Sequence, residues 1–137
     1  NLPKTQRQAQ TVRWYQRSAA QGFGYAEYEL GQCYFIGRGG LPKNMKMADH
    51  WWRLAALQSI GLAANNLGYS YQIGAGVPKN PIMASTWFLS SADDGYAPAR
   101  DKAKKLMRTM THAQRQQVYQ DCTKLDSPLR IIHKMKN

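Results

Sequence analysis

Apolar side chains recur every three or four residues along most of this chain, the spacing that places them on one face of an α-helix. Two segments follow it closely, from Tyr25 to Ile36 and from Lys46 to Leu57. The stretch 37–43 between them contains three glycines and a proline, and Asn44 comes directly after it. Glycine accepts the positive φ that ends a helix, proline cannot continue one, and asparagine caps the next. The pattern therefore predicts two helices joined by a short turn.

Nearly the same stretch of letters occurs twice, since LGQCYFIGRGGLPKN begins at Leu30 and LGYSYQIGAGVPKN begins at Leu67. A wider comparison aligns the chain with itself in three registers, offset by 37 and then by 36 residues. The additional residue in the first copy is the second glycine of Gly39–Gly40. A period of about 36 residues, with small residues at fixed places, is typical of helix pairs stacked in a solenoid.

Tryptophan marks one position of this repeat. Trp14, Trp51 and Trp87 fall in equivalent places, so we expect all three to be core residues of the second helix of each pair. Trp52 follows Trp51 and points about 100° further round the helix, which predicts partial exposure for Trp52.

The sequence of the repeat unit resembles the Sel-like repeat (SLR) family, which is related to the tetratricopeptide repeats. The family pattern A-x-x-x-LG-x-x-Y-x-x-G-x-GV, with a tryptophan further on, is met from Ala63 to Gly95 and again from Ala26. The resemblance covers about residues 11–108. The usual aspartate of the loop is Asn44 and Asn80 here, which keeps the helix cap and removes the charge. The resemblance implies an all-α fold, a right-handed superhelix.

We expect one solenoid domain of about seven helices. Its predicted parts are a leading second helix (1–22), a first repeat (23–58), a second repeat (59–94), C-terminal capping helices (95–126) and a basic tail (127–137). The pattern fades in the third copy, where Ala103–Lys104 replaces the Leu-Gly pair. This change suits a capping helix whose outer side faces water.

Residues that carry catalysis or bind metals are sparse in this sequence. Cys33 and Cys122 form no CxxC pair and the three histidines are scattered, so we expect no metal site. Phosphate-binding glycine loops and nucleophile motifs are absent from the sequence. We therefore expect a chain that is not an enzyme and has neither a cofactor nor a small-molecule substrate. Two cysteines leave both oxidising and reducing compartments open.

The formal net charge is +11, and it is concentrated at the two ends. Residues 1–24 carry four bases and no acid, residues 25–99 carry five of each, and residues 100–137 carry ten bases and three acids. This excess favours an acidic protein, nucleic acid or an anionic surface as the partner. A solvated basic face that aids solubility is the alternative. A groove that binds nucleic acid should be basic along its length, so the neutral repeat body disfavours nucleic acid as the partner.

Candidate binding residues follow from the resemblance, which assigns the concave side of the solenoid to the first helix of each pair. Residues of these helices outside the core positions form a surface that changes from aromatic and mildly acidic, through amide-rich, to cationic. The candidate partner-binding residues are Tyr25, Tyr28, Glu29, Gln32, Asn65, Asn66, Tyr69, Lys102, Lys105 and Arg108. Tyrosine and asparagine supply contact area and hydrogen bonds at little entropic cost. The last three residues form a stripe that could receive a carboxylate or phosphate, or could be a solvated cap face.

The resemblance implies protein–protein recognition, as a bacterial envelope adaptor or as an immunity protein that neutralises an effector. We expect a monomer whose protein partner has an acidic patch. The alternative function is binding of nucleic acid or an anionic surface through the basic termini.

No apolar run in the sequence approaches the roughly 20 residues that span a membrane. The chain begins at Asn1 rather than Met, consistent with removal of a signal peptide or of an expression tag. We therefore expect a periplasmic or secreted protein, with the cytoplasm as the alternative.

Overall fold

The computed structural model describes residues 2–126, and in this part the chain forms seven α-helices and no strand. The helices are α1 (Lys4–Ala20), α2 (Gly24–Ile36), α3 (Met45–Leu57), α4 (Gly61–Ile73), α5 (Pro81–Asp93), α6 (Pro98–Met107) and α7 (His112–Leu125). The predicted basic tail, 127–137, lies outside the described residues. Among the described helices, none is both long and apolar enough to cross a membrane.

Each helix packs against the next one in the chain from α1 to α6, and α7 returns to pack against α5. The first helices of the pairs are α2, α4 and α6, and the second helices are α1, α3 and α5. Apolar clusters fill the spaces between neighbouring helices, and in the cluster formed by α3, α4 and α5 the side chains of Ala48, Ala63 and Leu67 are fully buried. The all-α solenoid predicted from the repeat is confirmed.

The turn between the two helices of a pair has the chemistry that the sequence predicts. Gly37 and Gly74 end the first helices in the left-handed region, with φ of 77° and 76°. Asn44 and Asn80 begin the second helices, and each side-chain oxygen accepts a hydrogen bond of 3.1 Å from a backbone N–H three residues on. Pro81 occupies the first turn of α5, where a missing N–H costs nothing. Turn and cap are therefore fixed locally in both copies.

The glycine of each Leu-Gly pair makes room for an aromatic ring of the second helix. A methyl group at Gly31 would overlap the indole ring of Trp52, and one at Gly68 would lie 2.7 Å from the ring of Phe88. Trp52 is only 3% exposed, so the prediction of partial exposure for it is wrong. Its ring is buried because it covers the glycine of the facing first helix.

The tryptophans at the equivalent repeat position differ in burial. Trp87 is 1% exposed and Trp51 is half-buried, whereas Trp14 is 68% exposed, so the prediction of a core position is wrong for Trp14. Trp51 packs toward Ala19 of the preceding second helix and Leu30 of its own first helix. No helix precedes α1 in the described part of the chain, so Trp14 has neither kind of neighbour there.

A second glycine of each turn packs against the second helix of the preceding pair. A methyl group at Gly39 would lie 2.6 Å from Val12, and one at Gly76 would overlap a carboxylate oxygen of Asp49. Both glycines have positive φ, 64° and 75°. The additional Gly40 of the first copy would meet nothing within 4 Å. The extra residue therefore projects into open space and leaves the packing of the turn unchanged.

Candidate functional site

A groove of about 450 Å³ is lined by all three first helices. We call it the inter-repeat groove. Its lining residues are Gln32 and Phe35 of α2, Met45 and Trp52 of α3, Asn65, Asn66, Tyr69, Ser70 and Ile73 of α4, Lys102 of α6, and Lys43 and Ala75 of the turns. Five of the ten predicted binding residues, Gln32, Asn65, Asn66, Tyr69 and Lys102, are thus brought to one place.

Side-chain hydrogen bonds join the first helices across this groove. The amide nitrogen of Asn66 donates to the amide oxygen of Gln32 over 3.0 Å. The ammonium of Lys102 donates to the amide oxygen of Asn65 over 2.9 Å. α2, α4 and α6 are consequently connected by polar contacts at the level of the groove, which restricts the rotamers of these four side chains.

The groove contains two cations, and each lies near aromatic rings. The Lys43 ammonium is 6.0 Å from the centre of the Phe35 ring. The Lys102 ammonium is 5.6 Å from the centre of the Phe88 ring and 5.8 Å from that of Tyr96. No carboxylate is among the described residues that line the groove. The charged side chains that line the groove are therefore both cationic, although the repeat body as a whole is neutral.

Three apolar side chains of the groove are exposed to solvent. Phe35, Tyr69 and Ile73 are between 43% and 55% exposed, and all three line the groove. Sequence reasoning found Tyr69 but missed Phe35 and Ile73. They lie three and four residues beyond Gln32 and Tyr69, so extending the predicted face by one helical turn would have found both.

The other predicted binding residues lie elsewhere. Tyr25 lines a separate cavity of about 580 Å³, together with Leu62 and Tyr96. Tyr28 is half-buried against the interior shared by α3 and α4, and this burial raises the pKa of its phenol. The remaining three predicted residues, Glu29, Lys105 and Arg108, are not among the lining residues of the groove.

A buried carboxylate lies directly behind the groove wall. Asp49 is 3% exposed, and its Oδ1 accepts a 2.6 Å hydrogen bond from the hydroxyl of Ser70. Burial raises the pKa of Asp49 to about 6, and the Ser70 hydrogen bond and the charge of Arg53 oppose that rise. Sequence reasoning missed Asp49. The available signal was its alignment with Val12 and Ser85, since only this copy carries a charged side chain at that repeat position.

The fold and the repeated helix pairs define a Sel1-type solenoid. The model of the Sel1 repeat family matches residues 8–23, 24–59 and 61–96, and the chain belongs to this family. Sel1 repeat proteins generally mediate protein–protein interactions and are scaffolds rather than typical enzymes. The predicted protein-binding role agrees with what is general for this family.

Three relatives illustrate the similarity. The chain is 30% identical over 106 residues to chitin synthase regulatory factor 3 of Schizosaccharomyces pombe, covering 75% of this chain and 11% of that protein. A protective antigen of uropathogenic Escherichia coli strains, which displays an SLR fold, superposes with a TM-score of 0.80 and is 25% identical. That match covers 91% of this chain and 27% of the antigen. A Sel1 repeat protein from Oxalobacter formigenes gives a TM-score of 0.70 and 29% identity, covering 82% of this chain and 49% of the relative.

Proposed function

We propose that this chain binds a protein partner through the inter-repeat groove, as a monomeric bacterial envelope adaptor or as an immunity protein that neutralises an effector. It would act in the periplasm or after secretion. The observation that carries the proposal is the groove itself, where exposed apolar side chains and two cations lie together. Aromatic and aliphatic anchors beside a charged rim are typical of protein-binding surfaces.

The charge of the groove indicates an acidic partner. Lys43 and Lys102 both line it, and the described lining residues include no acid that would neutralise them. A partner carboxylate would therefore find a lysine ammonium to pair with in the groove. An immunity protein would bind one effector tightly, whereas an adaptor would bind several partners more weakly.

Capture of partners from the native source at moderate salt, followed by titration calorimetry with the isolated partner, tests this function. We expect one or a few proteins at stoichiometric yield. Lys102→Glu should weaken binding by at least about tenfold, because a like charge would face the partner's acidic patch. The matched control is Lys104→Glu, which makes the same charge change on α6 at an exposed position outside the groove. Equal affinities for the two variants would contradict the proposal, as would recovery of nucleic acid or lipid alone.

A basic cavity between α1 and the turn of the first repeat supports a second candidate function, the binding of an anionic surface. Lys4 and Arg7 of α1 and Arg38 of the first turn line a cavity of about 250 Å³. Cosedimentation with vesicles that contain anionic lipid should then fall steeply with salt and should weaken in Arg7→Glu. Binding that is insensitive to salt, or no binding at all, would contradict this candidate.

A further inference from the structure

We propose that the inter-repeat groove recognises an extended acidic segment of its partner, in which an apolar side chain is flanked by carboxylates. The apolar side chain would lie among Phe35, Tyr69 and Ile73, and the carboxylates would face Lys43 and Lys102. This inference rests on the proposed function and specifies which form of partner the groove accepts.

The unused hydrogen-bonding groups of the groove match an extended backbone. Asn66 and Gln32 use one donor and one acceptor in their mutual bond, and Asn65 uses its oxygen to accept from Lys102. Among the described residues, these bonds leave the amide nitrogens of Gln32 and Asn65 as donors and the amide oxygen of Asn66 as an acceptor. An extended peptide presents free N–H and C=O groups that such amides can bind, whereas a helix satisfies its own.

The alternation of side chains along an extended chain also suits the groove. A strand-like segment places alternate side chains on one side. One apolar side chain can then enter among Phe35, Tyr69 and Ile73 while its neighbours point toward the rim.

The two cations are placed to select acidic residues on both sides of that anchor. Lys43 belongs to the turn of the first repeat and Lys102 to α6, so they flank α4, which carries Tyr69 and Ile73. The hydrogen bond to Asn65 holds the Lys102 ammonium in position before the partner arrives. A preorganised cation loses less conformational entropy on binding a carboxylate than a free lysine does.

Selection of a phage-displayed library of random peptides on the full-length protein tests the inference. The enriched sequences should carry Asp or Glu on both sides of an aromatic or aliphatic residue. A fluorescein-labelled synthetic copy of the enriched sequence then serves as the probe in fluorescence anisotropy. We expect its affinity to fall at least about tenfold in Lys102→Gln and in the double variant Tyr69→Ala, Ile73→Ala.

Matched controls separate the groove from the rest of the surface. Lys104→Gln removes a cation from the same helix, and Tyr119→Ala removes an exposed aromatic ring from α7, outside the groove. Both should leave the affinity of the probe unchanged. All substituted side chains in the test are at least partly exposed, and circular dichroism confirms that each variant is folded before it is titrated.

Three results would overturn the inference. One is the absence of an acidic consensus among the enriched peptides, and another is equal binding of the probe to the groove variants and the controls. The third is binding of a single-stranded oligonucleotide as tight as that of the probe, because the groove would then select its ligands by negative charge alone.

The outcomes for this inference and for the proposed function can be told apart. If Lys102→Glu still lowers the affinity for a captured folded partner while no peptide binds, this inference fails and the proposed function stands. If neither the partner nor the peptide responds to groove variants, both fail.

Discussion

The turn of the first repeat packs against Val12, whereas the turn of the second repeat packs against Asp49. These positions are equivalent in the repeat, and the glycines above them have nearly the same φ, 64° at Gly39 and 75° at Gly76. The backbone of the turn is therefore set by its glycines and accepts either a hydrocarbon or a carboxylate beneath it. The chemistry of this position differs between copies while the geometry does not.

The difference between Val12 and Asp49 lies next to the candidate binding site. Asp49 is hydrogen-bonded to Ser70, and Ser70 lines the inter-repeat groove. The carboxylate therefore connects the turn of the second repeat to the wall of the candidate site. Val12 has no hydrogen-bonding group and cannot make such a connection. Repeated positions thus keep the architecture, and departures from the repeat indicate where to look for specific chemistry.

Substitution of the repeated tryptophan tests whether the copies are equivalent, and it should have the largest effect on the free energy of unfolding. Trp87→Ala should lower the free energy of unfolding by about 3–5 kcal/mol, because it leaves a large cavity at a fully packed position. Trp14→Ala, at the equivalent but exposed position, should cost less than about 0.5 kcal/mol. Urea unfolding followed by circular dichroism measures both. Similar losses in the two variants would show that Trp14 is buried by a contact beyond the described helices.

The second effect concerns the buried carboxylate. Folding raises the pKa of Asp49 to about 6 from the usual 3.8, so between these values the folded state holds a proton that the unfolded state has lost. The stability contribution of Asp49 should therefore fall as the pH rises through this window and stay constant above it, by up to about 3 kcal/mol. Asp49→Asn should remove this dependence and be the more stable protein at neutral pH.

Urea unfolding of wild type and Asp49→Asn from about pH 4 to about pH 8 measures this difference. Burial also raises the pKa of Glu27, but this group is present in both proteins and cancels in the comparison. A difference in stability that is constant across the whole range would contradict the assignment to Asp49.

The third effect compares glycines of the two turns. Gly76→Ala should cost about 2–3 kcal/mol, because the new methyl group would meet the Asp49 carboxylate and the Met45 carbonyl oxygen at a positive φ. Gly39→Ala should cost a similar amount, since its methyl group would lie 2.7 Å from the carbonyl oxygen of Gln8. Gly40→Ala is the control and should cost only about 1 kcal/mol, because its methyl group would meet no neighbour and only the strain of a positive φ remains. Equal unfolding midpoints for all three would refute the packing role of the turn.

The smallest effect concerns the junction between repeats. Ser59 has φ of 66°, where the equivalent positions are Gly22 and Gly95 with φ of 82° and 106°. Ser59→Gly should raise the free energy of unfolding by about 0.5–1 kcal/mol, since glycine adopts this conformation without strain. Gly95→Ser is the reverse change and should lower it by a similar amount. Thermal unfolding resolves both shifts, and a loss of stability in Ser59→Gly would contradict the expectation.

Most of the fold could be predicted because its determinants are local. Helical periodicity, the C-terminal glycines and the asparagine caps depend on a few consecutive residues, and both copies show them. The exposure of Trp14 and the burial of Trp52 could not be predicted in this way. The exposed fraction of each ring depends on which helices lie opposite it, and a repeat alignment assumes that every copy has the same neighbours.

The candidate site was predictable in part for the same reason. The family resemblance assigns the concave side to the first helices, and their positions outside the core include Gln32, Asn65, Asn66, Tyr69 and Lys102. These residues lie together because the repeat places the first helices side by side. Lys43 belongs to a turn, and the burial of Asp49 depends on the turn of the following repeat. Such contacts between units are not encoded in either segment alone. Partner binding by these residues stays a prediction.

The contact between each turn and the preceding second helix gives the solenoid a direction of assembly. Val12 precedes Gly39 in the chain, and Asp49 precedes Gly76, so the surface that supports a turn has already been synthesised when that turn leaves the ribosome. Each unit can dock as it emerges, in keeping with folding from the N-terminal end during synthesis. Removal of units from the C-terminal side leaves every remaining turn supported, whereas removal of α1 deprives the first turn of its support.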